Sequence, residues 1–535
     1  MTTHDVIVVG GGPAGSTAAA IAAKRGLRVL LLESGAHPRL HVGESLLPGV
    51  IPILDEIGAL AEVETAGFTR KTGATHWDWG RTPEWDLWFA DTDEYDHAWL
   101  VERARFDQIL FRAAARAGAD AREHCKVTGL EWDGDRLAGV RHAGGVARAP
   151  VTIDASGVSS LLAHELGLRS LIPGLRHRAS WAHYERTGRM PAPRENQALL
   201  AADARHWIWV FPLSDTLTSV GVVFEEDGED APADARAHDF ERAVAANAPV
   251  RELLGPNARR ITRVVSQRDW SYRMQRVAGP GWMLAGDASG FIDPILSTGV
   301  FLAMHAGAHA ARTAAAIARG DRPEAAGLAE YQRAHTDLFD DILRIVKFFY
   351  RRNLDRADYF WESKAILEDL VPGIHPQKAF LILTSGLVNN LAVDERRAAV
   401  TSRREAALHA GPGARIDVDT HDPDELEFVC AHLEYRGDGE PAALFLLIEP
   451  ARAGDPTLFA TARWHINCLC PRYRNDPIQV PALAEPLRGL RDRVAALDTV
   501  DGESLAQFWR RTRGELVAAL RGLPETFELV RVFGE

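Results

Sequence analysis

The sequence predicts an α/β fold that opens with a parallel βαβ unit, and three observations support this prediction. Residues 5–9 and 27–32 are apolar runs rich in β-branched residues or leucine, which is typical of buried parallel strands. Between them, residues 16–25 are alanine-rich and typical of a helix, which Gly26 ends. The three segments fit within about 30 residues, the usual length of a βαβ unit.

The turn between the first strand and the helix carries a dinucleotide-binding pattern. Gly10, Gly12 and Gly15 match G-x-G-x-x-G. The first glycine allows the turn, the second lets the backbone approach a pyrophosphate, and the third lets helix and strand pack closely. Glu33 ends the second strand, where it can accept hydrogen bonds from ribose hydroxyls. A glycine-rich turn without a ligand is the alternative, but the strand, helix and acid in this order favour a dinucleotide site.

The composition excludes several classes of protein. The chain has 535 residues with 61 basic and 74 acidic side chains, a formal net charge of −13, and ordinary globular proportions of hydrophobic residues (46%) and charged residues (25%). The acidic balance argues against non-specific nucleic-acid binding. No apolar run reaches the roughly 18 residues of a membrane span. Four cysteines are too few for a disulfide scaffold, so we expect a cytoplasmic protein.

Later segments continue the mixed pattern of strands and helices. Strands are predicted at residues 151–154, 207–211, 219–224 and 282–286, and helices at 106–117, 300–319, 328–349 and 395–407. A stretch rich in glycine, proline and aspartate, residues 409–425, is typical of a linker. Beyond it, strands are predicted at 444–448 and 460–466, and helices at 483–497 and 505–520.

Three motifs resemble those of glutathione-reductase-type flavoproteins. They are Arg103-Ala-Arg-Phe-Asp107 at a helix start, Asp154-Ala-Ser-Gly157 at a strand end, and Gly286-Asp287-Ala288. This resemblance implies FAD as the dinucleotide, with Asp287 at the ribityl chain. No second G-x-G-x-x-G follows a strand, so we expect reduced flavin from a partner reductase or electrons from transiently bound NAD(P)H.

Four further segments resemble the signatures of FAD-dependent halogenases. Trp207-Ile-Trp209-Val-Phe211-Pro212 is similar to W-x-W-x-I-P, with Phe211 in place of isoleucine. Residues 291–299 are similar to F-x-x-P-x-x-S-x-G, and Gly43-Glu44-Ser45 resembles a strap beside the flavin. Lys71 lies in surroundings similar to those of the essential lysine, although Arg70 beside it leaves a one-residue shift open. The resemblance covers about residues 1–400.

The resemblance implies a chemical sequence and a role for each motif. Reduced FAD (FADH2) and oxygen form a C4a-hydroperoxide, a halide attacks it to give hypohalous acid, and Lys71 delivers the halogen. Chloride or bromide would bind backbone N–H groups at Thr298 and Gly299, before a helix that starts at Val300. Trp207, Trp209, Phe211, Pro212 and Leu296 would line the substrate side. The implied cofactor-binding residues are Gly10, Gly12, Pro13, Ala14, Gly15, Glu33, Ser34, Arg39, Gly43, Glu44, Ser45, Arg103, Asp154, Gly286, Asp287, Pro294, Gly299 and Val300.

Each of these features has an ordinary structural explanation when taken alone. Paired tryptophans are more often core, and a lysine is more often solvated. Their occurrence together and in order favours a halogenase. A flavin-dependent monooxygenase, a geranylgeranyl-reductase-like oxidoreductase and a non-catalytic flavin-binding protein are the alternatives.

The residue before Ser297 indicates the class of substrate. Tryptophan-specific halogenases carry a glutamate there that assists proton loss, whereas this chain has Leu296. We therefore expect a phenolic or pyrrolic substrate, free or tethered to an acyl or peptidyl carrier protein, in the biosynthesis of specialised metabolites such as antibiotics. His76 and Glu102 are candidate bases that the sequence does not rank. The oligomeric state stays open.

The resemblance also implies a domain organisation. We expect a Rossmann-like FAD-binding domain over residues 1–325 with an inserted β-sheet substrate domain at about 50–100 and 170–275. A helical substrate cap would follow at 326–410, and residues 411–535 would form an extra small α/β region. Cys430, His432, His465, Cys468 and Cys470 suggest zinc, but their C-x-C spacing favours buried structural cysteines, so no metal site is expected.

Overall fold

The computed structural model describes residues 4–79, 81–92, 94–203, 206–225, 232–351, 354–367, 375–387, 429–435, 442–452, 459–468, 488–489 and 527–534. Its internal contacts divide the chain into two compact units, Met1–Ser363 with Phe380–Asn390, and Lys364–Ala379 with Leu391–Glu535. The predicted helix at 395–407, the linker and, apart from residues 488–489, the helices at 483–497 and 505–520 lie outside the described residues.

The strands are numbered in chain order. They are β1 (Val6–Val9), β2 (Val29–Leu32), β3 (Thr69–Lys71), β4 (Gly73–Trp79), β5 (Thr82–Trp88), β6 (Ala98–Leu100), β7 (Asp120–Arg122), β8 (Val127–Asp133), β9 (Arg136–His142), β10 (Gly145–Arg148), β11 (Val151–Asp154), β12 (Arg169–Glu185), β13 (Ala198–Ala202), β14 (His206–Pro212), β15 (Thr218–Glu225), β16 (Arg259–Arg260), β17 (Val265–Met274), β18 (Ala278–Gly279), β19 (Trp282–Leu284), β20 (Gly290–Phe291), β21 (Val429–Tyr435), β22 (Ala442–Arg452), β23 (Phe459–Cys468) and β24 (Phe527–Gly534).

The helices are numbered in the same way. They are α1 (Pro13–Lys24), α2 (Ile51–Ile57), α3 (Leu60–Thr65), α4 (Arg103–Arg116), α5 (Leu161–Glu165), α6 (Ala233–Ala246), α7 (Ala248–Leu254), α8 (Gly299–Ala318), α9 (Glu324–Phe349), α10 (Arg356–Leu367) and α11 (Pro376–Ser385). Among the described residues, no helix is both long and apolar enough to cross a membrane.

The first sheet contains the predicted parallel strands, with β18 added antiparallel at one edge. Its order is β18-β19-β11-β1-β2-β7, and β1 pairs in parallel with β2 and with β11. All residues of β1 and β2 are buried, as expected for strands covered on both faces. The prediction of an α/β fold that opens with a parallel βαβ unit is confirmed.

A second sheet is built from segments that interrupt the first. Its order is β20-β17-β12-β15-β14-β13-β4-β5, with β16 paired to β12. The strands at residues 73–88 and 198–225 belong to this sheet. The predicted tryptophan pair lies on one of them, β14, which pairs with β15. One face of this sheet packs against α6 and α7 through Phe240 and Val250, which are fully buried. The sheet is therefore a firm support for the Trp207 and Trp209 side chains.

Smaller sheets complete the described structure. β3 pairs with β6, so that Lys71 lies opposite Ala98, and β8, β9 and β10 form a three-stranded sheet. In the second unit, β23-β22-β21-β24 form an antiparallel sheet. Cys430 on β21 and His465 on β23 are each paired in register with Leu447 of β22, the strand between them, so they lie two strands apart. The described part of the chain holds no group of three or more His, Cys, Asp or Glu side chains suited to a metal, and Cys470 lies outside it.

Two positions of the glycine turn have no room for a side chain. Gly10 has a φ of +100°, and a Cβ there would lie 2.3 Å from the carbonyl oxygen of Ala155. A Cβ on Gly15 would lie 1.8 Å from the carbonyl oxygen of Gly10. The turn thus brings α1 against the strand ends as closely as backbone contact allows.

We expect Gly15→Ala to cost about 3 kcal/mol or more of unfolding free energy, because the contact is with rigid backbone. Gly26→Ala is the matched control, since its Cβ would meet open space and only the φ of +84° opposes it, at about 1 kcal/mol. Denaturant unfolding of both variants measures this difference. Equal destabilisation would contradict the close-packing explanation.

Candidate active site

A cavity of about 750 Å³ begins at the carboxyl ends of β1 and β2 and reaches the tryptophan pair on β14. Most predicted site residues line it. They are Gly10, Gly12, Pro13, Ala14, Glu33, Ser34, Arg39, Gly43, Glu44, Ser45, Arg103, Trp207, Trp209, Phe211, Gly286, Asp287, Pro294, Gly299 and Val300. The remaining predicted residues do not line the cavity; they are Gly15, Lys71, Asp154, Pro212, Leu296 and Thr298.

Glu33 presents an ionised carboxylate at the dinucleotide end of the cavity. The Gly11 N–H donates to its Oε2 at 2.7 Å, and the Gly35 N–H donates to its Oε1 at 2.8 Å. Burial alone would raise the pKa of Glu33, but these hydrogen bonds outweigh it and hold the pKa below its ordinary value. The carboxylate can therefore accept hydrogen bonds from ribose hydroxyls.

Asp154 acts through its neighbours rather than at the cavity surface. Its Oδ1 accepts from the Ser156 N–H at 3.0 Å and the Ser156 hydroxyl at 2.6 Å, and its Oδ2 accepts from the Leu162 N–H at 2.9 Å. Ala155 and Ser156 line the cavity. Asp154 thus shapes the wall of the cavity from behind.

Arg103 holds the strap that carries Gly43, Glu44 and Ser45. Its guanidinium donates to both carboxylate oxygens of Asp107, at 2.8 and 3.0 Å, and to the carbonyl oxygens of Val42 at 2.5 Å and Gly43 at 3.3 Å. Glu44 is fixed from the other sheet, because its Oε1 lies 2.7 Å from His183 Nε2. The strap is therefore held by helix α4 on one side and by strand β12 of the second sheet on the other.

The cavity suits FAD on several grounds. Gly10 and Gly12 line the cavity without side chains, so a pyrophosphate can approach the backbone there, and Glu33 is an acceptor at the adenosine end. Burial raises the pKa of Asp287 to about 6, with the Arg103 charge opposing it, so this carboxyl gains from hydroxyl partners such as those of a ribityl chain. The volume is also typical of a cofactor site.

Lys71 lies directly behind this cavity. Its side chain is only 2% exposed, and its Nζ donates to Ser45 Oγ at 2.8 Å and to the Leu46 carbonyl oxygen at 3.1 Å. Burial lowers the pKa of Lys71 to about 7. Arg70 instead has a 58% exposed side chain that pairs with Asp96, so the geometry places Lys71, and not Arg70, at the site.

The predicted halide loop joins Lys71 through two hydroxyls. Ser297 Oγ donates to Ser45 Oγ at 3.1 Å, and Ser45 also accepts from Lys71. Thr298 is fully buried, and its Oγ1 has no hydrogen-bond partner among the described residues. The 20-residue helix α8 begins at Gly299, so its positive N-terminal end lies at this loop. An unpartnered hydroxyl at a helix N-terminus suits a small anion.

The two tryptophans form a wall whose ring positions are fixed by hydrogen bonds. Trp207 Nε1 donates to the Tyr350 hydroxyl at 2.9 Å, and Trp209 Nε1 donates to Ser219 Oγ at 3.1 Å. The Trp209 ring fills the space above Gly221, where a Cβ would lie 2.1 Å from it. The Trp209 indole is thus set by the second sheet, and the Trp207 indole by Tyr350, which follows α9.

The two candidate bases lie in different environments. Glu102 precedes α4 and forms a surface ion pair with Arg105. His76 is buried, stacks on Trp85 at 4.0 Å between ring centres, and has no hydrogen-bond partner for Nδ1 among the described residues. Burial, with the Lys71 charge, lowers the pKa of His76 to about 3, so His76 is a neutral acceptor near Lys71.

Several residues that shape the site belong to none of the predicted motifs. His41, Trp181 and Tyr272 line the cavity, and His183 holds Glu44. The Arg103 charge and burial lower the pKa of His41 to about 4. These residues come from separate strands and loops, and no motif in the sequence marks them.

Comparison with known proteins identifies the family. A sequence model of the tryptophan halogenase family matches residues 89–374, and a model of FAD dependent oxidoreductases matches residues 5–167. The chain belongs to the tryptophan halogenase family. It is a flavin-dependent halogenase, and FAD is its cofactor. The resemblance seen in the sequence is thereby confirmed.

Three relatives illustrate the similarity. The chain is 32% identical to a tryptophan 2-halogenase of Chondromyces crocatus, over 72% of this chain and 76% of that protein. It is 28% identical to a 1H-pyrrole-2-carbonyl-[peptidyl-carrier protein] chlorinase of Pseudomonas fluorescens, over 66% and 84%. The solved structure of a myxobacterial chondrochloren halogenase is 33% identical, with a TM-score of 0.62, and covers 76% of this chain and 92% of that one.

We expect Lys71→Met to lower halogenation at least about 1000-fold, because the buried amine is the group beside the halide loop. FAD binding should be unchanged, since Lys71 does not line the cavity. Product mass spectrometry and flavin fluorescence measure the two effects. Arg70→Met is the matched control and should keep its activity, because Arg70 is exposed. Loss of activity in the control but not in Lys71→Met would reverse the assignment.

The pH profile reports the charge state of Lys71. With a pKa of about 7, the amine is protonated below pH 7 and neutral above it. We expect kcat to rise as the pH increases through about 7, because only a neutral amine has the lone pair that a nucleophile needs. Steady-state rates from pH 5.5 to 9 measure this. A kcat that falls over the same range would show that the ammonium form is the active one.

Proposed function

We propose that this halogenase acts on an electron-rich phenol or pyrrole and that Lys71 transfers the halogen. The observation that carries the proposal is the buried position of Lys71. Its amine donates a hydrogen bond to Ser45, which lines the cavity. The same amine lies 5.0 Å from the centre of the Phe89 ring. Its charge also acts on His76, within an aromatic cluster. Lys71 thus lies between the cavity and a cluster of aromatic side chains.

Each step assigned to the chain follows from one of these groups. When bound, FAD supplies the oxidation of halide by oxygen. Backbone N–H groups at Thr298 and Gly299 bind the halide, and the Trp207 and Trp209 rings keep the substrate from the flavin. The neutral Lys71 amine takes the halogen from hypohalous acid and releases water. The aromatic ring then takes the halogen from nitrogen and loses its ring proton.

The class of substrate follows from the side chain at position 296. Leu296 is buried and apolar, so this position offers no carboxylate to remove a proton from an unactivated ring. A phenol or pyrrole loses its proton more readily and needs less help. The unpartnered Nδ1 of His76 supports the same choice, because it can accept a hydrogen bond from a ring hydroxyl or N–H.

The helices after residue 326 form the proposed substrate cap. Phe349, the last residue of α9, stacks on Trp79 at 4.9 Å, and its carbonyl oxygen accepts from Trp79 Nε1 at 3.2 Å. Phe380 of α11 lies 6.0 Å from Phe349. The contacts of Phe349 with His76 and of Phe380 with Trp85 support a cap over this side of the site.

The proposed partners are a flavin reductase in the cytoplasm, which supplies FADH2, and a carrier protein. The curated chlorinase of Pseudomonas fluorescens acts on a pyrrole held by a peptidyl carrier protein, as its name states. We propose that the substrate of this chain is either held by a carrier protein in the same way or free, and both forms are to be tested.

A substrate screen tests the proposal. The protein, FAD, a flavin reductase and NADH are incubated with free phenols, free pyrroles, tryptophan and carrier-protein thioesters of both ring types, each with chloride and with bromide. We expect halogenated phenol or pyrrole products by mass spectrometry, with Lys71→Met as the inactive control. Products that are oxygenated but never halogenated, or halogenation of tryptophan alone, would contradict the proposal.

A further inference from the structure

Asp293 is a buried carboxylate inside the halide-loop motif, residues 291–299. The motif gives this position no role. It stands between Phe291 and Pro294, at a position where F-x-x-P-x-x-S-x-G accepts any residue. The residue is fully buried. Its Oδ1 accepts from the Ile295 N–H at 3.1 Å, and its own N–H donates to Ser271 Oγ at 3.0 Å. Asp293 therefore caps the 3-10 turn that leads to Ser297 and Thr298.

Two side chains from distant parts of the chain reach the same carboxylate. The Tyr350 hydroxyl donates to Oδ1 at 2.7 Å, and His177 Nδ1 lies 2.6 Å from Oδ2. The His177 ring also stacks on the Tyr350 ring, with 4.7 Å between centres and 18° between planes. Both carboxylate oxygens are thus satisfied, as a buried carboxylate requires.

Tyr350 extends the connection to the tryptophan wall. Its hydroxyl donates to Asp293 and accepts from Trp207 Nε1 at 2.9 Å. The chain of bonds therefore runs from the turn of the halide loop, through Tyr350 after α9, to the indole of Trp207 on β14. A hydroxyl that both donates and accepts has one orientation that serves both bonds, so the three groups are held as a unit.

We propose that Asp293 is a positioning residue that fixes the halide loop and the Trp207 wall in one arrangement through Tyr350. The inference rests on the proposed function, because it assigns halide binding to residues 298–299. Loss of the Tyr350–Asp293 bond frees the turn and the indole together. Halide then binds less tightly, and more of the oxidant is lost as hydrogen peroxide before the halide captures it.

The reverse effect follows by thermodynamic linkage. If the arrangement of the loop favours halide binding, bound halide favours that arrangement to the same extent. Halide should therefore stabilise the wild-type protein more than a variant in which the connection is broken, even without substrate or flavin turnover.

The experiment compares Tyr350→Phe, Asp293→Asn and the double variant with wild type. Tyr331→Phe is the matched control, since it removes another buried hydroxyl, which donates to the Leu284 carbonyl oxygen at 2.6 Å and does not involve the halide loop. Thermal unfolding is measured against bromide concentration at constant ionic strength, with gluconate as the balancing anion. The KM for bromide, kcat and hydrogen peroxide per halogenated product are measured on the active phenol or pyrrole.

We expect Tyr350→Phe to raise the KM for bromide about tenfold while kcat changes less, to reduce the bromide-dependent rise in melting temperature, and to increase peroxide release. The double variant should be no worse than Asp293→Asn, because both changes break one connection. Tyr350→Phe keeps the test decisive if Asp293→Asn does not fold. The Tyr331→Phe control should show the wild-type KM.

Three results would overturn the inference. They are a wild-type bromide KM in Tyr350→Phe, a fall in kcat with unchanged KM and unchanged thermal shift, and strictly additive effects in the double variant. Failure of the proposed function is distinct, because it would appear in the wild-type protein as absence of both halogenated product and bromide-dependent stabilisation.

Discussion

Burial of the Lys71 amine is the constraint on which the site depends. An ammonium that leaves water loses hydration, and within the described part of the chain no carboxylate pairs with the Lys71 amine. The Ser45 hydroxyl and the Leu46 carbonyl oxygen offset part of this cost, and the remaining penalty lowers the pKa to about 7. The amine is consequently divided between its charged and neutral forms near neutral pH, the condition under which it can act as a nucleophile.

The two sheets divide the chemistry between them. The parallel sheet and its glycine turn hold the dinucleotide end of the cavity, while the second sheet supplies the tryptophan wall. The strap with Ser45 is held by both a helix and a sheet, since Arg103 of α4 binds it from one side and His183 of β12 holds Glu44 from the other. Lys71 donates hydrogen bonds to this strap, so its position relative to the cavity depends on α4 and on the second sheet.

Much of this arrangement was predictable from the sequence because it is encoded locally. The glycine turn, Glu33 and the W-x-W strand are each defined by adjacent residues, and the structure brings them to one cavity. Other motif residues occupy a layer behind the wall, as with Asp154 and Thr298, and their local pattern does not reveal this. The choice between Lys71 and Arg70 also required the structure, since alternation on a short strand decides which side chain is buried.

By itself, the sequence determined the fold class, the cofactor and the family, because nearest-neighbour patterns and motif order carry that information. Only the tertiary structure decided which polar groups are partnered. Asp293, Tyr350, His177 and Trp207 come from four separate segments, and their hydrogen bonds depend on how two strands, a loop and a helix end pack together. The burial that lowers the pKa of Lys71 is likewise a property of the packed protein, since desolvation depends on every neighbour in space rather than on those in sequence.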